Sequence, residues 1–76
     1  MAVNIYLFAR QFDKEYAFLY EHEDRVAGAD EAVRAFDEFV QRHGDFVAEF
    51  SRFRGDYITS DREAAAFMFA LVELTG

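Results

Sequence analysis

The sequence has no cysteine and no proline. Without cysteine there is no disulfide and no thiolate metal site, and the composition suits a reducing compartment. Serine is nearly missing too: Ser51 and Ser60 are the only two. A nucleophilic hydroxyl needs a base within hydrogen-bond reach, and His43 and Ser51 lie just over two helical turns apart if one helix carries both. Ser60 serves better as a helix cap. The four glycines form no phosphate-cradling loop and no dinucleotide fingerprint. No run approaches the roughly 20 apolar residues of a membrane span, and the apolar residues from Val3 to Ala9 alternate without a secretory cleavage pattern. A non-enzymatic, cytoplasmic protein without cofactor or metal is the expectation.

Basic residues are scarce as well. Eight Lys and Arg stand against fifteen Asp and Glu, for a net charge of −7. The acids are spread evenly, five each in residues 1–29, 30–45 and 46–76. Such a body repels nucleic acid at long range, and its natural opposite is a basic protein surface. Net negative charge also keeps an apolar chain soluble.

What the chain has in abundance is phenylalanine, ten in 76 residues, within a sequence that is 53% hydrophobic. One domain of this length is close to the lower limit for an independent core. An aromatic side chain buries roughly 150–250 Å² when covered, so some of the ten are expected to remain at the surface.

The clearest element is a helix from Ser60 to Leu74. Ser60 and Glu63 form a capping box, Asp61 suits the positive end of the helix dipole, and Ala64–Val72 is an unbroken apolar run. A helix that is greasy most of the way round is central, and its surplus face is a candidate for pairing with a second copy in a homodimer. Upstream, residues 3–12 alternate through Val3, Ile5, Leu7 and Ala9, and residues 16–22 alternate through Tyr16, Phe18, Tyr20 and His22. Period two with aromatic residues predicts two strands of a hairpin joined at Asp13-Lys14. Residues 24–29 read as a connector broken by Gly28. A helix capped by Asp30 follows, with Val33, Phe36, Phe39 and Val40 on one face. Gly44 is a natural stop, and His43 before it suits a helix C-terminus. Residues 46–53 then fit a second helix, capped by Asp45, that continues or kinks from the first; Phe46, Ala48 and Phe50 also alternate, which leaves a strand open. Arg54-Gly55-Asp56 is a turn, and residues 57–59 are β-prone. The expected fold is α+β: a small antiparallel sheet packed on two or three helices, in the order ββααβα.

Two clusters are candidates for recognition. Glu21, Glu23, Asp24, Asp30 and Glu31 form an acidic corner. A carboxylate accepts the same bidentate Arg hydrogen bonds as a phosphate, so the corner suits a groove built for nucleic acid. Tyr16 and Tyr20 stand beside it, and tyrosine is prominent in interface energetics. Arg52, Arg54 and Arg62, with Phe50, Phe53 and Tyr57, have the composition of a nucleic-acid binder, but three arginines against −7 are more simply partners for Asp56 or Asp61.

With its length, acidic balance, lack of cysteine and surface carboxylates Glu21, Glu23, Asp24, Asp30 and Glu31, the chain resembles the small acidic inhibitor proteins of phages and mobile elements, among them the anti-CRISPR proteins. The resemblance implies a protein partner such as a CRISPR effector subunit, with no direct contact to nucleic acid. That group shares no common motif, so no residue role follows from it.

Overall fold

The computed structural model describes residues 3–27, 29–58 and 60–76, and for Val26 and Ala27 the backbone alone. The described residues form four helices: α1 Ile5–Glu21, α2 Glu23–Ala27, α3 Asp30–Arg54 and α4 Asp61–Thr75. No strand is present among the described residues. The expected α+β fold is therefore replaced by an all-helical one, and both strands of the predicted hairpin lie inside α1.

The physical reason is legible in hindsight. Asn4 Oδ1 accepts hydrogen bonds from the backbone N–H groups of Tyr6 (2.9 Å) and Leu7 (3.3 Å), which starts a helix just where the alternation begins. Ile5, Phe8, Ala9, Phe12, Tyr16 and Leu19 then fall on one face at three- and four-residue spacing and pack into the core. The alternation of residues 3–9 shares several members with that set, so both periods fit locally. Asp13-Lys14 is mid-helix, spanned by a hydrogen bond of 3.0 Å from Gln11 Nε2 to Glu15 Oε1 one turn on. The helix closes at His22, whose backbone N–H donates to Phe18 O at 3.0 Å.

The stretch read as a connector contains the single-turn α2, which packs on α1 and α4; Gly28 lies outside the described residues. Asp30 is the first residue of α3, with Ala29 at the cap position. α3 runs through Gly44 without stopping, and of the readings left open for residues 46–53 the continued, kinked helix is the one observed. The break sits at His43, whose backbone is non-helical (φ −134°, ψ 39°). A straight helix of 25 residues would span roughly 37 Å at 1.5 Å per residue. The longest dimension of the molecule is 31 Å, so the bend is what fits α3 into the fold.

Gly55 ends α3 in the left-handed conformation (φ 78°, ψ 18°). Its N–H and that of Asp56 both donate to Ser51 O, at 2.9 and 3.2 Å, the 5→1 bond of an αL stop joined by the 6→1 bond of a Schellman motif. Tyr57 and Ile58 form no strand; Thr59 lies outside the described residues. The first half of the capping box is present, with Ser60 Oγ accepting from the Glu63 N–H at 3.1 Å, while the Glu63 carboxylate reaches back to the Ser60 hydroxyl, which donates to Oε1 at 3.2 Å.

α4 is central, as its composition implied. It packs mainly on α1 and next on α3, with Ala64, Ala65, Ala66, Phe67 and Ala70 buried. The alanines let neighbouring helices come close, and Phe67 fills the space between them. Its ring meets those of Phe8 (4.7 Å), Phe36 (5.2 Å), Phe50 (5.5 Å), Phe39 (5.6 Å) and Phe46 (6.0 Å). Most of these pairs meet edge to face, the favourable arrangement of aromatic quadrupoles. The radius of gyration is 11.4 Å, which matches the ~11 Å of a well-packed chain of this length. Phe18, Phe53 and Phe69 stay exposed, so the core does not absorb all ten phenylalanines.

Phe67→Ala is expected to cost about 3–5 kcal/mol, a large share of the stability of so small a domain. At the two glycines of α3 the signs are opposite. An added Cβ at Gly44 meets nothing within 4 Å and the φ there is not positive, so Gly44→Ala is expected to stabilise by roughly 0.5–1 kcal/mol. At Gly55 the positive φ makes Ala cost about 1–2 kcal/mol. Urea midpoints for the two variants should move in opposite directions with unchanged slopes; shifts of one sign contradict the assigned backbone conformations.

Candidate protein interface

The acidic corner is built where the chain turns from α1 through α2 into α3. Glu21 is the last residue of α1, Glu23 and Asp24 open α2, and Asp30 and Glu31 open α3. All five are exposed. Four of them occupy first helical turns, where negative charge is favoured by the unpaired N–H groups. The placement has a local structural cause as well as an electrostatic consequence.

They do not act as one convergent cluster. Among the described residues no group of three His, Asp or Glu gathers closely enough to hold a metal ion. Glu23 turns back to the fold, accepting from Arg62 Nη2 at 3.0 Å. The same guanidinium lies over the Tyr20 ring, 5.0 Å from its centroid. Arg62 thus ties the acidic corner and Tyr20 to the start of α4. For Glu21, Asp24, Asp30 and Glu31 no described residue supplies an ion pair.

The two tyrosines separate. Tyr20 is 61% exposed. Tyr16 is half-buried, with its ring stacked on Phe12 at 6.2 Å, and belongs to the edge of the core. Phe18, two residues before Tyr20 and therefore on the other flank of α1, is the second exposed ring at this helix end. It is 43% exposed and stacked on His22 at 4.3 Å. His22 is further held by Nδ1, 2.9 Å from Phe18 O. The helical repeat brings residues 18 and 22 together, and reading the segment as a strand concealed this.

The arginines are mostly occupied, but not by Asp56 or Asp61. Arg54 lies 4.5 Å over the Phe12 ring and pairs with Glu63 Oε2 at 3.2 Å, while Arg62 takes Glu23. Only Arg52 of the three is exposed. Partners so far apart in sequence leave no trace in local spacing. Ser51 is buried and its hydroxyl has no hydrogen-bond partner among the described residues.

His43 marks the kink rather than a helix end. Its ring lies 4.8 Å from that of Phe39. With Val3, Phe39, Phe46 and Leu71 it lines a cleft of about 190 Å³. Sequence reasoning missed this cleft, because it joins residues from both ends of the chain. Among the described residues no helix is long and apolar enough to cross a membrane. Comparison with known protein families, characterised proteins and solved structures found no match to this chain.

The two ion pairs differ in burial, which sets their expected strengths. The Arg62–Glu23 pair has side chains 24% and 71% exposed, against 25% and 12% for Arg54–Glu63. Exposed pairs couple by roughly 0.2–1 kcal/mol. Double-mutant cycles should place Arg62–Glu23 at the low end and Arg54–Glu63 above it, and the reverse order contradicts the assigned partners. Ser51→Ala removes a buried hydroxyl that gains nothing from the fold, and is expected to be neutral or mildly stabilising.

Proposed function

We propose that this protein is a non-enzymatic inhibitor that binds a basic, nucleic-acid-handling surface of a protein partner. The observation that supports this most is the exposed carboxylates Glu21, Asp24, Asp30 and Glu31, without ion-pair partners among the described residues, near a helix end that also exposes the rings of Phe18 and Tyr20 on its two flanks. Exposed carboxylates offer acceptors to Arg and Lys side chains, as phosphates do. The neighbouring aromatic rings add apolar area that a purely charged contact lacks. Tyr20, held by Arg62, enters the contact with part of its freedom already lost, which lowers the ordering cost of binding. In its sharpest form the partner is a CRISPR effector subunit, and the protein occupies ground that DNA or RNA would otherwise hold.

Charge sets the kinetics under this reading. A protein of net charge −7 approaching a basic groove associates faster than an uncharged one, and the advantage fades as salt shortens the Debye length.

A second reading is favoured by a separate observation. α4 buries its first half, but Phe69, Val72 and Leu74 near its end remain 36%, 61% and 41% exposed. Self-association through these last turns would cover them. Sedimentation over a concentration series decides it, since a monomer at every concentration removes the dimer.

The inhibitor reading is tested by affinity capture from host extract with the native protein and with a variant carrying Glu21→Lys, Asp24→Lys, Asp30→Lys and Glu31→Lys. Glu23 is left unchanged to keep its bond to Arg62. A basic nucleic-acid-binding protein is expected on the native bait alone, with an association rate that falls roughly 10- to 100-fold on charge reversal. Equal capture by both baits, or binding indifferent to salt, defeats the proposal. Failure to relieve CRISPR interference in cells would remove only the sharper form.

A further inference from the structure

The cleft at the bend of α3 has the size and lining of a ligand site. We propose that it binds one uncharged phenol ring. α1 and α4 run antiparallel: Arg62 at the start of α4 meets Tyr20 at the end of α1 and Glu23 at the start of α2. At the opposite end Val3, just before α1, shares a wall with Leu71 of α4. α3 crosses that end and breaks there, with Phe39 on one side of the break and Phe46 on the other. Because the helix bends at His43, the side chains either side of it do not close over Val3 and Leu71. The gap they leave is about 190 Å³.

That volume decides the class of ligand. Drug-sized pockets begin at roughly 300 Å³, whereas an apolar cavity of about 150 Å³ takes up a single benzene ring. One six-membered ring fits within it. Four of the lining residues, Val3, Phe39, Phe46 and Leu71, are apolar. His43 supplies the polar group. Its ring rests against Phe39, and no described residue hydrogen-bonds its nitrogens, in contrast to His22. Small-ligand sites commonly combine an apolar wall with one or a few polar groups that fix orientation. A neutral imidazole both donates and accepts a hydrogen bond, so a hydroxyl on the ring is its natural complement. A carboxylate is a poorer one. Glu38 and Asp45 line the depressions that adjoin the cleft across His43, offsetting Arg42 between them, and the whole chain carries −7.

The site is independent of the acidic corner. The two occupy opposite ends of the α1–α4 pair, roughly 25 Å apart by the length of α1. Either can fail without the other. The ring has two possible sources, a free phenol or the side chain of a tyrosine on another protein, and both present the same chemistry to the cleft.

The test is a titration of the whole protein followed by two-dimensional amide NMR. The probes are p-cresol, toluene and N-acetyltyrosine amide. Saturable shifts are expected for p-cresol, confined to residues around Val3, Phe39, His43, Phe46 and Leu71. Toluene should bind about three- to tenfold more weakly, the value of one net hydrogen bond, and His43→Leu should erase that difference. Val3→Trp, at a half-buried position outside every helix, plugs the cleft from its rim and should abolish binding while the circular dichroism spectrum stays helical. Binding of N-acetyltyrosine amide at the same residues assigns a partner's tyrosine as the source; binding of p-cresol alone assigns a free phenol. Shifts that do not saturate, that scatter over the surface, or that survive Val3→Trp overturn the site. Equal affinity for toluene and p-cresol overturns the role of His43.

Discussion

Phe67 is the point on which the fold turns. It stands on the last helix and its ring touches five others, one from α1 and four from α3. Four of the five lie on both sides of the bend in α3, so a single side chain fastens both halves of that helix. The alanines around it contribute by being small. With larger residues at 64, 66 and 70, α4 would stand too far from its neighbours for one phenyl ring to reach all five. A small domain has little apolar area to spend. Concentrating it in interlocking aromatic rings, each worth roughly 0.5–1.5 kcal/mol beyond its buried area per pair, is how this chain holds a core.

The remaining interactions set the outline of that core. Arg54 and Arg62 are both long side chains with one guanidinium face on an aromatic ring and one edge on a carboxylate. Each spans two helices: Arg54 links α3 to α1 and α4, and Arg62 links α4 to α1 and α2. Such residues cover apolar rims with their methylene stems while keeping the charge near water. Among the described residues Glu23 and Glu63 are the acids joined to an arginine. The distribution of free negative charge on the surface thus follows from which acids the fold consumes.

Much of this was legible from the sequence where local rules suffice. Ser60 and Glu63 announced α4, the apolar run behind them announced its central position, and Arg54-Gly55-Asp56 announced the turn. The spacing of Phe46, Val47, Phe50 and Phe53 kept step with Phe39, Val40 and His43 across Gly44 and so carried the helical phase, while the alternation of Phe46, Ala48 and Phe50 left a strand open until the tertiary structure decided it. α1 was misread because alternation over residues 3–9 satisfies a strand and a helix equally. The deciding signals were length and the Asn4 cap. The sheet, the third strand at residues 57–59 and the structureless connector at 24–29 all fell with that misreading or beside it. The carboxylates of the corner were found as surface residues because charge at a helix start is exposed in almost any fold. The Arg62–Tyr20 contact and the cleft were not, since both join residues that only the tertiary arrangement brings together.

The antiparallel pairing of α1 with α4 has an implication for how the chain acquires its shape. Helical proteins fold quickly because most of their contacts are local, yet here the first long helix leans chiefly on the last. While the polypeptide is being made, N-terminal portions emerge first. Until α4 is released, Phe8 and Phe50 can meet each other, but they and Phe36 lack the Phe67 ring that joins them, and the emerging chain presents part of that apolar surface to its surroundings. The core closes only when α4 joins it, with the acidic residues already outside to keep the waiting chain apart from its neighbours.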